Sequence, residues 1–475
     1  MKPTLVLIAL FLLSLTACQN KVKEKTEVEK PNILLLLADD LGYGELGVYG
    51  QETIQTPVLD QLAKDGMRFT DFYAGNAVCS PSRAVLLTGK SSSFNTVRGN
   101  SGHYSDDRWM RVALQKNEIT LAEMLREAGY QTGFVGKWHL DDPNDISTWA
   151  YNRGFDYAVQ EQWGSRFGGT QYDEQMHWIN GKQDSVYYHV NEWECKDDFR
   201  TNLAFNFLDK AAEDKPFFLF MSYRAPHGHE FTIGNNTLYQ DNDWPEAERL
   251  HASKITLLDK QIGRMLTKLD EMGELDNTLI IFTSDNGPHQ EGRGHNPKFF
   301  KSAGKLKGIK RDMYEGGVRV PLIAYWNGKI SSDAKTNHMA GFQDLMPTFA
   351  EVAGVELPEQ TNGISILPVL TGEEQTQHES LNWEFQLDGW FRKMPNGGFR
   401  QSARFDNWKG VRYGTNSKTE LYNLDDDISE TNNIAGDHPE IVKKMNRIFE
   451  EERSENSGFP YGGVIQDYKP IDKFE

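Results

Sequence analysis

Pro31-Asn32-Ile33-Leu34-Leu35-Leu36-Leu37-Ala38 is an apolar run without polar alternation. A strand with one wet face would alternate, so this one needs cover on both faces, as a central strand of a mostly parallel sheet has. The sequence that follows supplies that cover. Thr120-Leu121-Ala122-Glu123 is a capping box, and Leu121, Met124, Leu125 and Ala128 then form one helical face that Gly129 stops. A strand over residues 130–136, a helix over 198–211, a strand over 216–222, a helix over 247–271 and a strand over 278–284 continue the alternation. Such a pattern predicts an α/β fold with helices on both faces of the sheet. From residue 372 it gives way to short strand-like pieces, 381–386, 399–405, 408–413 and 420–423, and a final helix over 439–452. We read residues 31–371 as the larger domain and 372–475 as a C-terminal α+β subdomain with an antiparallel sheet packed on it.

The N-terminus sets the compartment. Met1-Lys2-Pro3, the apolar residues 4–15 and Leu15-Thr16-Ala17-Cys18 make a secretion signal over residues 1–17, too short for a good membrane span. Leu-Thr-Ala-Cys also resembles a bacterial lipobox, which implies a lipid on Cys18, a flexible tether over residues 18–30 and a place on the bacterial cell envelope. A cleaved, soluble secreted form is the competing reading. With three cysteines in 475 residues, Cys18, Cys79 and Cys195, no intramolecular disulfide framework is expected. A net charge of −18 opposes long-range attraction of polyanions. Nucleic acid is therefore not an expected partner, and an anionic substrate must meet a local basic pocket.

Two acidic clusters follow apolar strands. Asp39 and Asp40 end the first, and Asp285-Asn286-Gly287 ends the strand over 278–284, at the C-terminal strand ends where ligands gather in open α/β sheets. All these donors are oxygens, so they suit a hard cation, calcium before magnesium; a lone Asp-Asp is otherwise a turn or a cap. In Cys79-Ser80-Pro81-Ser82-Arg83, Pro81 suits the first position of a helix and Ser80 its cap. Residue 79 then sits just outside a helix start, where free N–H groups favour an anion, with Arg83 about one turn away. A buried cysteine beside an ordinary capped helix is the bland alternative.

Cys79-Ser80-Pro81-Ser82-Arg83 continues as Ala84-Val85-Leu86-Leu87-Thr88-Gly89-Lys90, and the whole resembles the signature of the type I, formylglycine-dependent sulfatases. Gly136-Lys137-Trp138-His139 and Ala225-Pro226-His227 are similar to two further elements of that family, and Lys310 stands five residues before Glu315-Gly316-Gly317, where the family places its last lysine. Residues 142–200 fit no pattern of the family. The resemblance implies an alkaline-phosphatase-like α/β fold and a maturation enzyme that oxidises Cys79 to formylglycine. It implies one Ca2+ held by Asp39, Asp40, the modified Cys79, Asp285 and Asn286. Arg83, Lys137 and Lys310 would draw charge from the sulfate oxygens, and His227 would protonate the leaving oxygen. Attack on sulfur would leave a sulfate ester on a carbon that still bears a hydroxyl, and deprotonation of that hydroxyl by His139 would expel sulfate. The implied substrate is a sulfated oligosaccharide or polysaccharide, with algal polymers such as ulvan or carrageenan favoured and glycosaminoglycans also fitting. Phosphate or phosphonate ester hydrolysis in the same superfamily, and a non-catalytic glycan-binding lipoprotein, are the rivals.

Substrate contacts are sought in two segments. Arg293, Lys298, Lys301, Lys305, Lys307, Lys310 and Arg311 form a basic run without acidic residues, either contacting further anionic groups of the substrate or a solvated loop. Residues 149–193 are rich in aromatics, among them Trp163, Phe167, Trp178, Tyr187 and Tyr188, which suit a core or sugar stacking. Trp383-Glu384 and His289 are further subsite candidates.

Overall fold

Strand β1 (Asn32–Asp39) is buried along its whole length. Ile33, Leu35 and Leu37 join one hydrophobic cluster and Leu34, Leu36 and Ala38 join another, so the unbroken apolar run serves two cores on opposite faces. Each fully buried leucine contributes roughly 1.5–3 kcal/mol. The computed structural model describes residues 30–103, 109–161, 174–228, 238–291, 294–358, 361–387 and 398–463. The expected signal, nearly all of the tether with Cys18, and Trp163, Phe167 and Arg293 lie outside the described residues.

Further along the chain come β2 (Met67–Phe69), β3 (Gln131–Gly136), β4 (Tyr157–Glu161), β5 (Glu174–Ile179) and β6 (Asp184–His189). They are followed by β7 (Phe217–Pro226), β8 (Thr278–Ser284), β9 (Leu322–Tyr325) and β10 (Ala334–Thr336). These ten strands form one sheet in the order β10-β2-β9-β8-β1-β7-β3-β4-β5-β6. Its centre, β8-β1-β7-β3-β4, is parallel, and antiparallel pairs begin at β9 on one side and β5 on the other. Helices α1 (Pro57–Asp65), α2 (Cys79–Thr88), α3 (Leu121–Glu127), α4 (Lys196–Leu208), α5 (Glu246–Glu271) and α6 (Leu345–Ala353) cover it. Helices α2, α3 and α6 pack on the Ile33 face and α1, α4 and α5 on the Leu34 face. The expected α/β sheet is therefore observed.

The capping box at Thr120 forms, with Thr120 Oγ1 accepting from the Glu123 N–H at 3.1 Å and the Glu123 carboxylate accepting from the Thr120 N–H at 2.7 Å. Helix α4 starts before the expected residue 198 because Cys195 caps it, its sulfur accepting from the Asp198 N–H at 3.4 Å. In the C-terminal region, β11 (Leu381–Gln386), β12 (Phe399–Phe405), β13 (Trp408–Arg412) and β14 (Glu420–Asn423) form an antiparallel meander. Helix α7 (Pro439–Glu451) packs Met445, Ile448 and Phe449 on one face of it. Leu381, Trp383, Phe385 and Val411 of the meander pack with Tyr73, Ala77 and Val78, the segment that leads into Cys79.

Trp383 is thereby a core residue, its indole N–H donating to the Ala74 carbonyl at 2.9 Å. Glu384 is buried between Arg98 at 2.5 Å and Arg453 at 2.8 Å. Neither is a subsite residue. In the aromatic segment Trp149 and Tyr188 are fully buried and Tyr187 is exposed, so its described residues serve mainly as core.

Candidate active site

Four parallel strands deliver polar side chains to one end of the sheet. Asp39 and Asp40 leave β1, Lys137 and His139 follow β3, His227 follows β7, and Asp285 and Asn286 follow β8; all but the partly exposed His139 are buried. Asp40 and His139 adopt positive φ, +68° and +60°, so the chain turns sharply at both. His139 is therefore off the extended path that β3 follows.

Helix α2 supplies the centre, and it starts at Cys79 rather than at Pro81. The N–H groups of a helix's first turn have no intrahelical partner, so proline costs nothing at this slightly later position either. Ser80 is not the cap: its hydroxyl donates to the His139 carbonyl at 3.0 Å, which ties α2 to the loop after β3. Cys79 Sγ lies 3.6 Å from Asp39 Oδ1 and 3.8 Å from Asp40 Oδ1. Burial pushes its thiol well up, so an unmodified Cys79 stays protonated and is a poor nucleophile.

Cations surround these carboxylates. Lys137 Nζ donates to both Asp39 oxygens at 2.8 and 2.7 Å, and Lys310 Nζ donates to Asp40 Oδ2 at 2.8 Å. Arg83 donates to Asp285 Oδ2 through Nε and Nη2 at 3.0 and 2.7 Å, while its Nη1 holds the Lys137 carbonyl and the Ser222 hydroxyl, each at 2.6 Å. Burial acts to raise the Asp39 carboxyl, but Lys137, Arg83 and Arg224 more than offset it and hold it below the usual carboxylate range. Asp285 goes the other way, raised to about 6 by burial and by the charge of Asp39. Burial and the neighbouring Lys137, Arg111 and Arg83 push His139 well down, which keeps it neutral.

Asn286 shows that the oxygen cluster suits a cation. Its Nδ2 donates to Asp40 Oδ1 at 2.8 Å and to the Gly287 carbonyl, whereas its Oδ1 is buried with no hydrogen-bond donor. An orphaned acceptor beside three carboxylates is what a hard cation would satisfy. Asp39, Asp40, Cys79 and His227 also place one potential ligand atom each within 4.8 Å of one another.

Sequence reasoning missed several residues that complete the site. Glu291 Oε2 lies 3.1 Å from Lys310 Nζ and 3.7 Å from His227 Nε2, and its other oxygen pairs with Arg311. Arg224 Nε approaches Asp39 Oδ2 at 3.6 Å, with Arg224 held by Glu161 at 2.6 Å and Glu161 in turn by Arg200 at 2.8 Å. His289, expected as a subsite residue, is instead buried support. Its Nε2 donates to the Pro226 carbonyl at 3.0 Å and its Nδ1 accepts from the Glu291 N–H at 3.0 Å, fixing His227's neighbour and Glu291 together. The basic run divides: Lys310 and Arg311 reach the site, and Lys307 Nζ is spent on the Tyr422 hydroxyl and the Glu430 carbonyl at 3.2 and 3.0 Å.

Comparison with known proteins agrees with this arrangement. The sulfatase family profile matches residues 31–355, and the profile of the N-sulphoglucosamine sulphohydrolase C-terminal region matches residues 309–455. Arylsulfatase A from Homo sapiens is 32% identical over 385 residues, covering 74% of this chain and 70% of that protein. An N-acetylglucosamine-6-O-sulfatase from Bacteroides thetaiotaomicron is 28% identical, covering 94% of this chain and 90% of that protein. The crystal structure of Ps i-CgsB in complex with k-i-k-neocarrahexaose superposes with a TM-score of 0.72 at 26% identity, covering 93% of this chain and 95% of that one.

Proposed function

The chain belongs to the sulfatase family and is a sulfuric ester hydrolase, and from that premise we propose that it removes sulfate from a sulfated carbohydrate through a formylglycine at position 79, assisted by one divalent cation. The observation that carries the mechanism is the placement of Cys79 within 3.6–3.8 Å of Asp39 and Asp40, with Arg83, Lys137 and Lys310 closing around those carboxylates. Sulfate is a small, multiply charged anion, and three buried guanidinium and ammonium groups match the oxygens that gain charge in its transfer.

Asp39, Asp40, Asp285 and Asn286, with the modified residue 79, would hold the cation. When bound it supplies Lewis-acid stabilisation of a sulfate oxygen and eases ionisation of the nucleophile. The remaining steps belong to the chain's own side chains. Arg83 and Lys137 orient sulfate over residue 79, and His227, beside Lys310 and Glu291, protonates the departing sugar oxygen. His139 takes the proton whose removal frees sulfate from the enzyme.

Named relatives and structural neighbours that act on or bind sulfated saccharides support the carbohydrate reading. Algal oligosaccharides of the carrageenan or ulvan type are favoured, with glycosaminoglycans as the second class. Free sulfate should be measured after incubating the matured protein with defined oligosaccharides of each class, and release from one class alone is expected. No release from any, with formylglycine verified by mass at position 79, would count against a sulfated carbohydrate substrate. A lipid on Cys18, anchoring the protein to the cell envelope, belongs to the same proposal. A Cys18→Ala variant that still fractionates with membranes would refute that anchor.

A further inference from the structure

Lys298, Lys301 and Lys305 are exposed and have no carboxylate partner among the described residues. They stand on a chain whose net charge is −18. Beside them runs a groove of about 580 Å³ that Lys301, Lys305, Tyr43, Tyr49 and Phe299 help to line, a volume typical of small-ligand sites. Phe299 is 43% exposed, an unusual position for a ring of that size. Tyr43 and Tyr49 meet edge to face at 4.9 Å and are held by hydrogen bonds from their hydroxyls to the carbonyls of Thr70 and of Phe69 and Leu322.

The groove is built rather than incidental. Its two walls, residues 43–53 and 299–306, are clasped by the Gly44 N–H donating to the Ser302 carbonyl at 2.8 Å. Gln51 Nε2 reaches the carbonyls of both Gly44 and Phe300 at 3.1 Å. A Cβ on Gly42 would stand 2.2 Å from Ser302 O, so only glycine permits this approach. One wall continues from Asp40 and the other leads into Lys310. Leu322, which bonds Tyr49, pairs with Thr283 at the end of β8 that carries Asp285, so the groove lies along the catalytic edge of the sheet.

We propose that this groove is a second, non-catalytic binding site for a sulfated glycan chain, with Lys301 and Lys305 pairing with sulfate groups and Phe299 stacking on a sugar ring. The proposal rests on the sulfated-carbohydrate reading above. Two cations and an exposed aromatic face suit an anionic saccharide, because sugar rings stack on aromatic faces while their sulfates seek ammonium groups. Glu52, also at the rim, is outnumbered by the two lysines. Held there, a polymer would keep its other sugars near Cys79 and raise their local concentration.

Affinity electrophoresis of full-length Cys79→Ala protein through gels containing carrageenan, heparin or desulfated carrageenan separates binding from turnover. Adding Phe299→Ala, Lys301→Glu and Lys305→Glu should weaken retention by the sulfated polymers about tenfold, the sum of two modest ion pairs and one stacking contact. The matched control, Lys329→Glu with Lys335→Glu, should retain normally. Unchanged retention in the groove variant, equal loss in the control, or no retention of either sulfated polymer by the parent would overturn the site. Sulfate release from short saccharides by matured protein without the Cys79→Ala change, measured in parallel, should stay within about twofold in the groove variant. Absence of that release in the parent would count against the hydrolase substrate and leave the groove to the binding result.

Discussion

Cys79→Ala and Cys79→Ser variants should lose sulfate release by at least about a thousandfold, the scale on which removal of a nucleophile is felt. Both are expected to fold, because position 79 lies in a helix first turn where either residue fits and its neighbours Asp39 and Lys137 pair with each other. Alanine removes the nucleophile. Serine keeps one hydroxyl, whereas the hydrate of an aldehyde carries two, and the second is what allows sulfate to leave by elimination. The unmodified thiol is no substitute, since burial keeps it protonated. Sulfate assays beside intact-mass measurement of the peptide containing residue 79 decide the matter. Full activity of the serine variant, or full activity with an unmodified Cys79, would sink the formylglycine proposal.

Much of this architecture was legible in the chain because it is written locally. A strand buried on both faces has to be apolar along its length, and residues 33–38 are. Strand ends in a parallel sheet collect ligands, so Asp39, Asp40, Asp285 and Asn286 could be placed together although 245 residues separate Asp40 from Asp285. Cys79 and Arg83 were legible from a short motif, and helix geometry brings them to one place.

What escaped was written non-locally. Arg224 matters because Glu161 and Arg200 hold it beside Asp39, and nothing in the separation of those residues along the chain announces such a chain of buried charges. Glu161 shows the strength of that link. Burial would raise its carboxyl, yet Arg224 and Arg200 bring it down to about 2. Glu291 sits in a loop with no regular period, and its role appears only when Lys310, Arg311 and His227 are brought to it. The basic run failed as one unit for a related reason. Charge counting sees seven like residues, whereas the fold sends Lys310 to the site, spends Lys307 on Tyr422 and Glu430, and leaves Lys301 and Lys305 in a separate groove.

Removing divalent cations should reduce turnover by at least about a hundredfold, since a metal-centred charge contributes several kcal/mol to such transition states. The structure also predicts a readout that does not depend on turnover. Asp39, Asp40 and Asp285 are fully buried, and Asn286 Oδ1 has no donor. Without a cation, Lys137, Lys310 and Arg83 neutralise the three carboxylates, so the chelated protein should remain folded rather than collapse. Adding calcium at about a hundred times its Kd should then stabilise it by about 2.7 kcal/mol, seen as a rise in Tm. Magnesium should shift Tm less, because a crowded, all-oxygen donor set suits the larger ion. Asn286→Ala deletes the orphaned oxygen and should diminish the calcium-dependent rise, whereas a substitution remote from the site, such as Lys335→Glu, should leave it intact. A chelated protein with full activity, or an Asn286→Ala variant whose Tm rises with calcium as the parent's does, would refute this placement of the cation. The lysines give the test its sign: Lys137 and Lys310 must yield part of their hold on Asp39 and Asp40 when calcium enters, and both are then free to turn toward the sulfate oxygens.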